Sequence, residues 1–241
     1  MLQGKHPLPV DSDIQYDDAS HTYGLRSHPG KRFRSVTSVA ATRFPPFNGG
    51  VISAKLAATG RGKYAGKTAA DIREEWSEAA RLGTALHAKV EEYYNGGPMP
   101  GHTGFCRASA LLRHVMRLEP WRSELRMASA NGLAGTADMI FKQAGKPTSE
   151  GVVIVDWKRT AEAPQDSKYD HCRKELSHLP AGKFWKYATQ LNLYAHLLWD
   201  TCRVPTVQML LVLLHPNGSQ YDVLLVPEMP EVAAIYRFPD A

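Results

Sequence analysis

The chain has 241 residues, of which 43% belong to the set AVILMFWYC and 22% are charged, the composition of an ordinary globular domain. Its longest apolar run, Met209 to Leu214, is far shorter than the roughly 20 residues a membrane-spanning helix needs, which excludes such a segment. A single soluble, intracellular domain over residues 1–241 is expected. The N-terminal MLQGKHPLPVDSD has no apolar secretory core, and Asp11 and Asp13 come early for an acid-poor transit peptide. Cytoplasm and mitochondrion both remain open.

The net charge of +5 is unevenly distributed. Residues 19–70 contain no acid, yet carry Arg26, Lys31, Arg32, Arg34, Arg43, Lys55, Arg61, Lys63 and Lys67. Such segregation attracts polyanions, and Lys and Arg contacts to phosphate supply sequence-independent affinity for nucleic acid. A solvated basic face without a ligand explains the charge alone equally well. Tyr64 within TGRGKYAGK and Phe33 between Arg32 and Arg34 favour a strand-binding surface with stacking.

In chain order, IQYDDASHTYGL alternates about a polar break and predicts a small hairpin. Ser35 to Ala41 predicts a short helix, stopped by Pro45, Pro46 and Asn-Gly-Gly. Thr68 to Tyr94 is helical in spacing, with a break or close approach expected at Gly83. Gly104 to Leu118 predicts another helix, ended by Pro120. WRSELRMAS, LAGTADMIF and GVVIVDW then read as three strands. A long, polar, mobile loop is expected over 161–182, a helix over Phe184 to Trp199, and two strands in VQMLLVLLH and QYDVLLV. The order predicts an α/β fold with a central mixed sheet flanked by helices.

The three cysteines, Cys106, Cys172 and Cys202, match neither a metal knuckle nor an even disulfide framework. His171, Cys172 and His178 are better read as surface residues than as a zinc fragment. Chemistry is more visible in GVVIVDWKRT. A strand buried over Val152 to Val155 ends in Asp156 and Lys158, which share a face because strand side chains alternate. Asp138 lies among Ala137, Met139, Ile140 and Phe141, where an isolated carboxylate is costly. If these strands are adjacent, the two aspartates converge and need a cation or a proton between them. A hard divalent ion with oxygen ligands fits, and Lys158 would point at the same place. His87 and Glu91 share a helix face at i and i+4, as do Gln190 and Tyr194. Read alone, each of these pairs is ordinary packing.

Taken in order, GTALH, GTAD, VDWK and QLNLY resemble the PD-(D/E)XK nuclease superfamily, in its RecB-like branch. HTYGL and SVTSV resemble the subgroup around the mitochondrial genome maintenance exonuclease and related phage and viral proteins. The likeness spans roughly residues 15–215. It implies a restriction-endonuclease-like core and metal-dependent hydrolysis of DNA with Mg²⁺ or Mn²⁺. By that resemblance Asp138 and Asp156 would bind metal together with His87 and the Trp157 main-chain carbonyl. Lys158 would be the catalytic lysine, and Gln190 and Tyr194 would line the site and contact DNA. Glu91 is a further candidate ligand through water, and Glu124 is either a ligand or a structural strand residue. Two departures are Ala137-Asp138 for the nominal Pro-Asp, and Asp rather than Glu before X-Lys. The lack of a four-cysteine set argues against the branch's iron-sulfur subgroup, so no iron-sulfur cluster is expected.

The reading is therefore an exonuclease preferring single-stranded DNA or DNA ends, acting in replication, repair or recombination. Arg34, Arg61, Lys63, Tyr64 and Lys67 would hold the strand from a basic extension at about 15–70. Replication or recombination proteins are candidate partners, and no membrane is expected. The alternatives are an endonuclease of the same fold, a non-catalytic nucleic-acid-binding module working with a helicase or polymerase, and a small-molecule metalloenzyme.

Overall fold

The computed structural model describes residues 1–17, 20 and 22–239. Two short helices, α1 (Leu2–Lys5) and α2 (Val10–Asp13), lead into the hairpin β1 (Ile14–Asp17) and β2 (Thr22–Leu25). Part of the Asp-Asp-Ala-Ser turn expected between these strands lies outside the described residues. After β3 (Arg34–Ser35), the Ser35 hydroxyl accepts the Ser38 N–H and starts α3 (Val36–Ala41). The next helix, α4 (Gly49–Thr59), was not expected, because Asn-Gly-Gly reads as a turn. Here Asn48 instead caps the helix by accepting the Val51 N–H, and Gly60 closes it at φ 54°.

A reciprocal capping box between Thr68 and Asp71 starts α5 (Ala69–Tyr94). This helix runs unbroken through Gly83, correcting the expected break. A Cβ at Gly83 would meet nothing within 4 Å, so no close approach requires the glycine. The helix α6 (Thr103–Ala110) passes into a π-turn over Leu111–Val115. Arg117, at φ 56°, then turns the chain into β4 (Leu118–Ala128), so Pro120 sits in a strand rather than ending a helix. The strands β5 (Leu133–Gln143) and β6 (Val152–Arg159) follow as expected.

The segment 161–182 is not simply a loop, since it contains a two-stranded ladder of β7 (Asp166–His171) and β8 (Pro180–Gly182). It is tied to the body by Glu175, which takes the fully buried Arg43 guanidinium in two hydrogen bonds. Cys172 is buried against the core, not at the surface as its polar neighbours suggested. The chain finishes with α7 (Lys183–Cys202), β9 (Thr206–Leu214), β10 (Tyr221–Val226) and α8 (Val232–Arg237).

The fold is α/β, with a mixed central sheet of order β10-β9-β6-β5-β3, and β4 pairing with β5. One edge of β5 is covered by antiparallel β4. Its other edge is shared: β6 pairs antiparallel with Met139–Lys142, and β3 pairs parallel with Leu133 and Ala134. Between these pairings, residues 135–138 form a notch. β6 itself stays paired with parallel β9 to Arg159 after leaving β5 at Val155. The helices α5 and α6 cover one sheet face, against Met139, Val153, Val155 and Trp157. On the opposite face α3 and α7 pack against Ala137, Ile140 and Ile154. Val152, Val153, Ile154 and Val155 are at most 4% exposed, each burial contributing about 1.5–3 kcal/mol.

Gly135 opens the notch to α7. A Cβ there would lie 2.7 Å from the Tyr194 ring and 2.9 Å from Val36 Cγ2. Gly135→Ala is therefore expected to destabilise the fold by about 1–3 kcal/mol, whereas Gly83→Ala should stabilise it by about 0.5–1 kcal/mol. Urea unfolding of both variants checks this, and equal stabilities would contradict the packing described.

Candidate metal centre

The notch gathers a row of acids. Ser123 pairs with Met139 and Leu125 with Ala137, so Glu124 stands opposite Asp138 across the β4–β5 ladder. Met139 pairs with Val155, and the next step of that register brings Asp138 alongside Asp156. Three adjacent strands thus contribute one carboxylate each. By the period of two, Asp156 shares the face of Ile154, toward α7, whereas on β5 that face is taken by Gly135 and Ala137, so Thr136 and Asp138 turn to the other side, where Asp138 meets His87 of α5. Glu124 is held at φ 44°, a left-handed conformation that is a strained outlier for a non-glycine residue inside a strand.

Each acid has its own compensation. Asp138 Oδ2 accepts the Trp157 N–H at 3.0 Å, bridging the point where β5 and β6 part, and lies 3.3 Å from His87 Nδ1. The Asp156 carboxylate is 2% exposed, with Lys158 Nζ 2.6 Å from Oδ2, while its Oδ1 accepts no hydrogen bond among the described residues. Burial, followed by the charge of Asp138, raises the Asp156 pKa against the pull of Lys158. Burial works against the Lys158 ammonium, but Asp156 and Asp138 outweigh it and hold its pKa above the ordinary value. Among the described residues Glu124 has no hydrogen-bond or ion-pair partner, and burial together with Asp138 and Glu91 pushes its pKa up to about 8 against the pull of Arg126.

His87, Glu124 and Asp138 each offer a ligand atom within 4.8 Å of the others, a group suited to holding one metal ion. Two unit charges at that separation repel by about 3 kcal/mol at an effective dielectric of about 20. A cation would relieve this repulsion and use the orphaned Asp156 Oδ1. Carboxylate oxygens with one imidazole suit a divalent ion, and the donor set fits. The structure thus draws Glu124 into the His87–Asp138 group and turns Asp156 toward Lys158. From sequence alone Glu124 is only a secondary candidate.

The cleft beside this group is also lined by Glu91, Lys158 and Tyr194. Gln190 Nε2 donates to the Tyr194 hydroxyl at 2.9 Å, and the Lys158 ammonium lies 5.2 Å from the Tyr187 ring centre. The Trp157 side chain is buried on the opposite face. The basic residues of 19–70 do not line this cleft. Arg61 is exposed, Lys63 pairs with Glu162 and lies over Tyr64, and Lys67 pairs with Glu75. Arg34 donates to the Pro239 carbonyl, and Arg43 is buried. Tyr16, Tyr23 and Arg126, which the sequence does not mark as site residues, do line the cleft. The alternation of IQYD and TYGL was the available signal for the two tyrosines.

No protein-family model matches the chain, and no significant match was found among curated proteins. Among solved structures, the protein SSO0001 is similar at 14% identity and a TM-score of 0.38, over 88% of this chain and 75% of that one. A "putative exonuclease" from Eubacterium rectale is similar at 9% identity and a TM-score of 0.36, over 93% and 83%. Among the described residues, no helix is long and apolar enough to cross a membrane.

The raised carboxyl of Glu124 has a consequence for stability. An unfolded chain releases this proton near 4.5, the metal-free folded chain only near 8. The folded state therefore binds more protons between those values, and its stability falls as pH rises through them. Thermal melts in EDTA from about pH 5 to pH 9 are expected to show a falling Tm, with a smaller slope in Glu124→Gln. An identical slope in the variant would contradict this account of Glu124.

Proposed function

We propose that this chain is a metal-dependent nuclease of the PD-(D/E)XK type, in its RecB-like branch, which hydrolyses phosphodiester bonds of DNA. The observation that carries the reading is the carboxylate row Glu124–Asp138–Asp156, with His87 above it and Lys158 beside it. His87, Asp138, Asp156 and the Trp157 carbonyl would hold Mg²⁺ or Mn²⁺, with Glu124 as an added ligand and Glu91 acting through water. The bound ion would supply Lewis acidity toward the phosphodiester oxygens and the attacking water.

The chain's own residues do the rest. Lys158, kept charged by Asp156 and Asp138, orients the water and stabilises the charge that grows on the phosphorane oxygens. Gln190 and Tyr194 form a hydrogen-bonded pair on the α7 side and steady the scissile group. Arg34, Arg61, Lys63, Tyr64 and Lys67 would hold more distant phosphates. The Lys63–Glu162 pair is exposed on both sides, and such pairs are weak enough for the ammonium to exchange onto DNA. The activity is that of an exonuclease preferring single strands or ends, in replication, repair or recombination, inside the cell.

End-labelled linear and closed circular single-stranded DNA, incubated with Mg²⁺, Mn²⁺ or EDTA, test this. The linear strand should be lost only with metal, and Lys158→Ala should slow its loss by about 100- to 1,000-fold. Cutting of the circle would make the enzyme an endonuclease, and binding without cutting would leave a binding module.

A further inference from the structure

The hairpin of β1 and β2 brings two aromatic rings to the mouth of the metal cleft. Tyr16 and Tyr23 are direct cross-strand partners, their ring centres 4.7 Å apart and tilted by 45°. The hairpin's apolar anchoring comes from Leu25 and Ile14, which pack with Ala128 and Ala134. Tyr23 also packs against that cluster, and both tyrosines line the cleft and are only half-buried. Each is fixed to the sheet one same-face step from an acid. The Tyr23 hydroxyl bonds Thr136 Oγ1 at 3.0 Å, and Thr136 lies two residues before Asp138 on β5. The Arg126 guanidinium lies 4.8 Å from the Tyr16 ring centre, and Arg126 lies two residues after Glu124 on β4. Two strand residues span about 7 Å, so the aromatic wall begins within one nucleotide's reach of the carboxylates.

The far wall of the cleft favours a flat guest. Along α5 it presents Ala79, Ala80 and Gly83, and a Cβ at Gly83 would meet open space. A half-exposed aromatic pair sharing a cleft with small side chains, with an exposed guanidinium over the Tyr16 ring, matches a nucleobase with its flanking phosphate. Base–aromatic stacking tolerates any sequence, whereas guanidinium binds the phosphate. In a duplex the base faces are already stacked on neighbouring pairs.

We infer that Tyr16 and Tyr23 seat one unpaired base of the substrate next to the metal centre while Arg126 holds its phosphate, so that the cleft selects single-stranded polynucleotide. The inference rests on the nuclease reading for the identity of the reacting group. Binding alone tests it, independently of any hydrolysis.

Fluorescence anisotropy in Ca²⁺ compares a short single-stranded oligonucleotide with a strand of the same length carrying only abasic sites. Tyr16→Leu should weaken binding of the base-bearing strand about tenfold, within the roughly 1–3 kcal/mol measured per stacked base, and leave the abasic strand unaffected. Tyr16→Phe, which keeps the ring, should bind both as the wild type does. Arg126→Gln should weaken both strands alike, and its exposed position keeps the test open should Tyr16→Leu fail to fold. The inference is overturned if the wild type does not prefer the base-bearing strand, if Tyr16→Leu affects both strands equally or neither, or if Arg126→Gln leaves both affinities unchanged. Failure of the nuclease reading would show as intact linear DNA in Mg²⁺ and Mn²⁺, with the base preference untouched.

Discussion

Mutual repulsion among Glu124, Asp138 and Asp156 is the constraint around which the centre of this molecule is arranged. Adjacent strands bring their side chains close enough that three ionised carboxylates in a row cannot be left uncompensated. The metal-free protein gives each acid a different answer: a raised pKa that favours a proton on Glu124, the Trp157 N–H and His87 on Asp138, and the Lys158 ammonium on Asp156. All three answers depend on the notch. Because β6 leaves β5 after Val155, the Trp157 N–H is free to turn to Asp138. Because Gly135 lacks a Cβ, Tyr194 closes over the same gap. A cation seated on the row would take over the work of the proton, which makes Glu124 the residue most sensitive to occupancy.

The Asp156 and Lys158 part of this arrangement was readable in the chain, because a fully apolar run ending in charges is unusual and period two forces both onto one face. Asp138 was visible for a similar reason, as an acid amid apolar neighbours. Glu124 was harder. In WRSELRMAS it occupies an ordinary polar position, and its role arises from strand register and from a backbone angle of φ 44°, neither of which a single sequence displays. The hairpin tyrosines were hidden in the same way, since alternation predicts the hairpin but not what its exposed face meets. Asn-Gly-Gly misled at α4 because a residue that begins a turn also caps a helix. Gly83 misled because a glycine in a helix suggests packing, and here it faces an open cleft.

Charge counting was informative and incomplete. The acid-free stretch holds nine cations, but Arg43 is buried and spent on Glu175, where it fastens the 161–182 segment to the body. Arg122 is likewise buried and paired with Asp11, joining the N-terminal helices to β4. Both are structural ion pairs whose charge never reaches solvent as a free field. Besides Lys158, the cleft wall carries Arg126, which comes from outside that stretch and is placed by strand pairing two residues after Glu124.

The role proposed for the carboxylate row is to seat a divalent cation. Titration of the protein with Mn²⁺, read by the electron paramagnetic resonance of the free ion and without nucleic acid present, tests it most directly. The account predicts saturable binding near neutral pH that Asp138→Asn abolishes and that tightens as pH rises through the Glu124 carboxyl near 8. Binding that is absent from the wild type, or undiminished in Asp138→Asn, would contradict it.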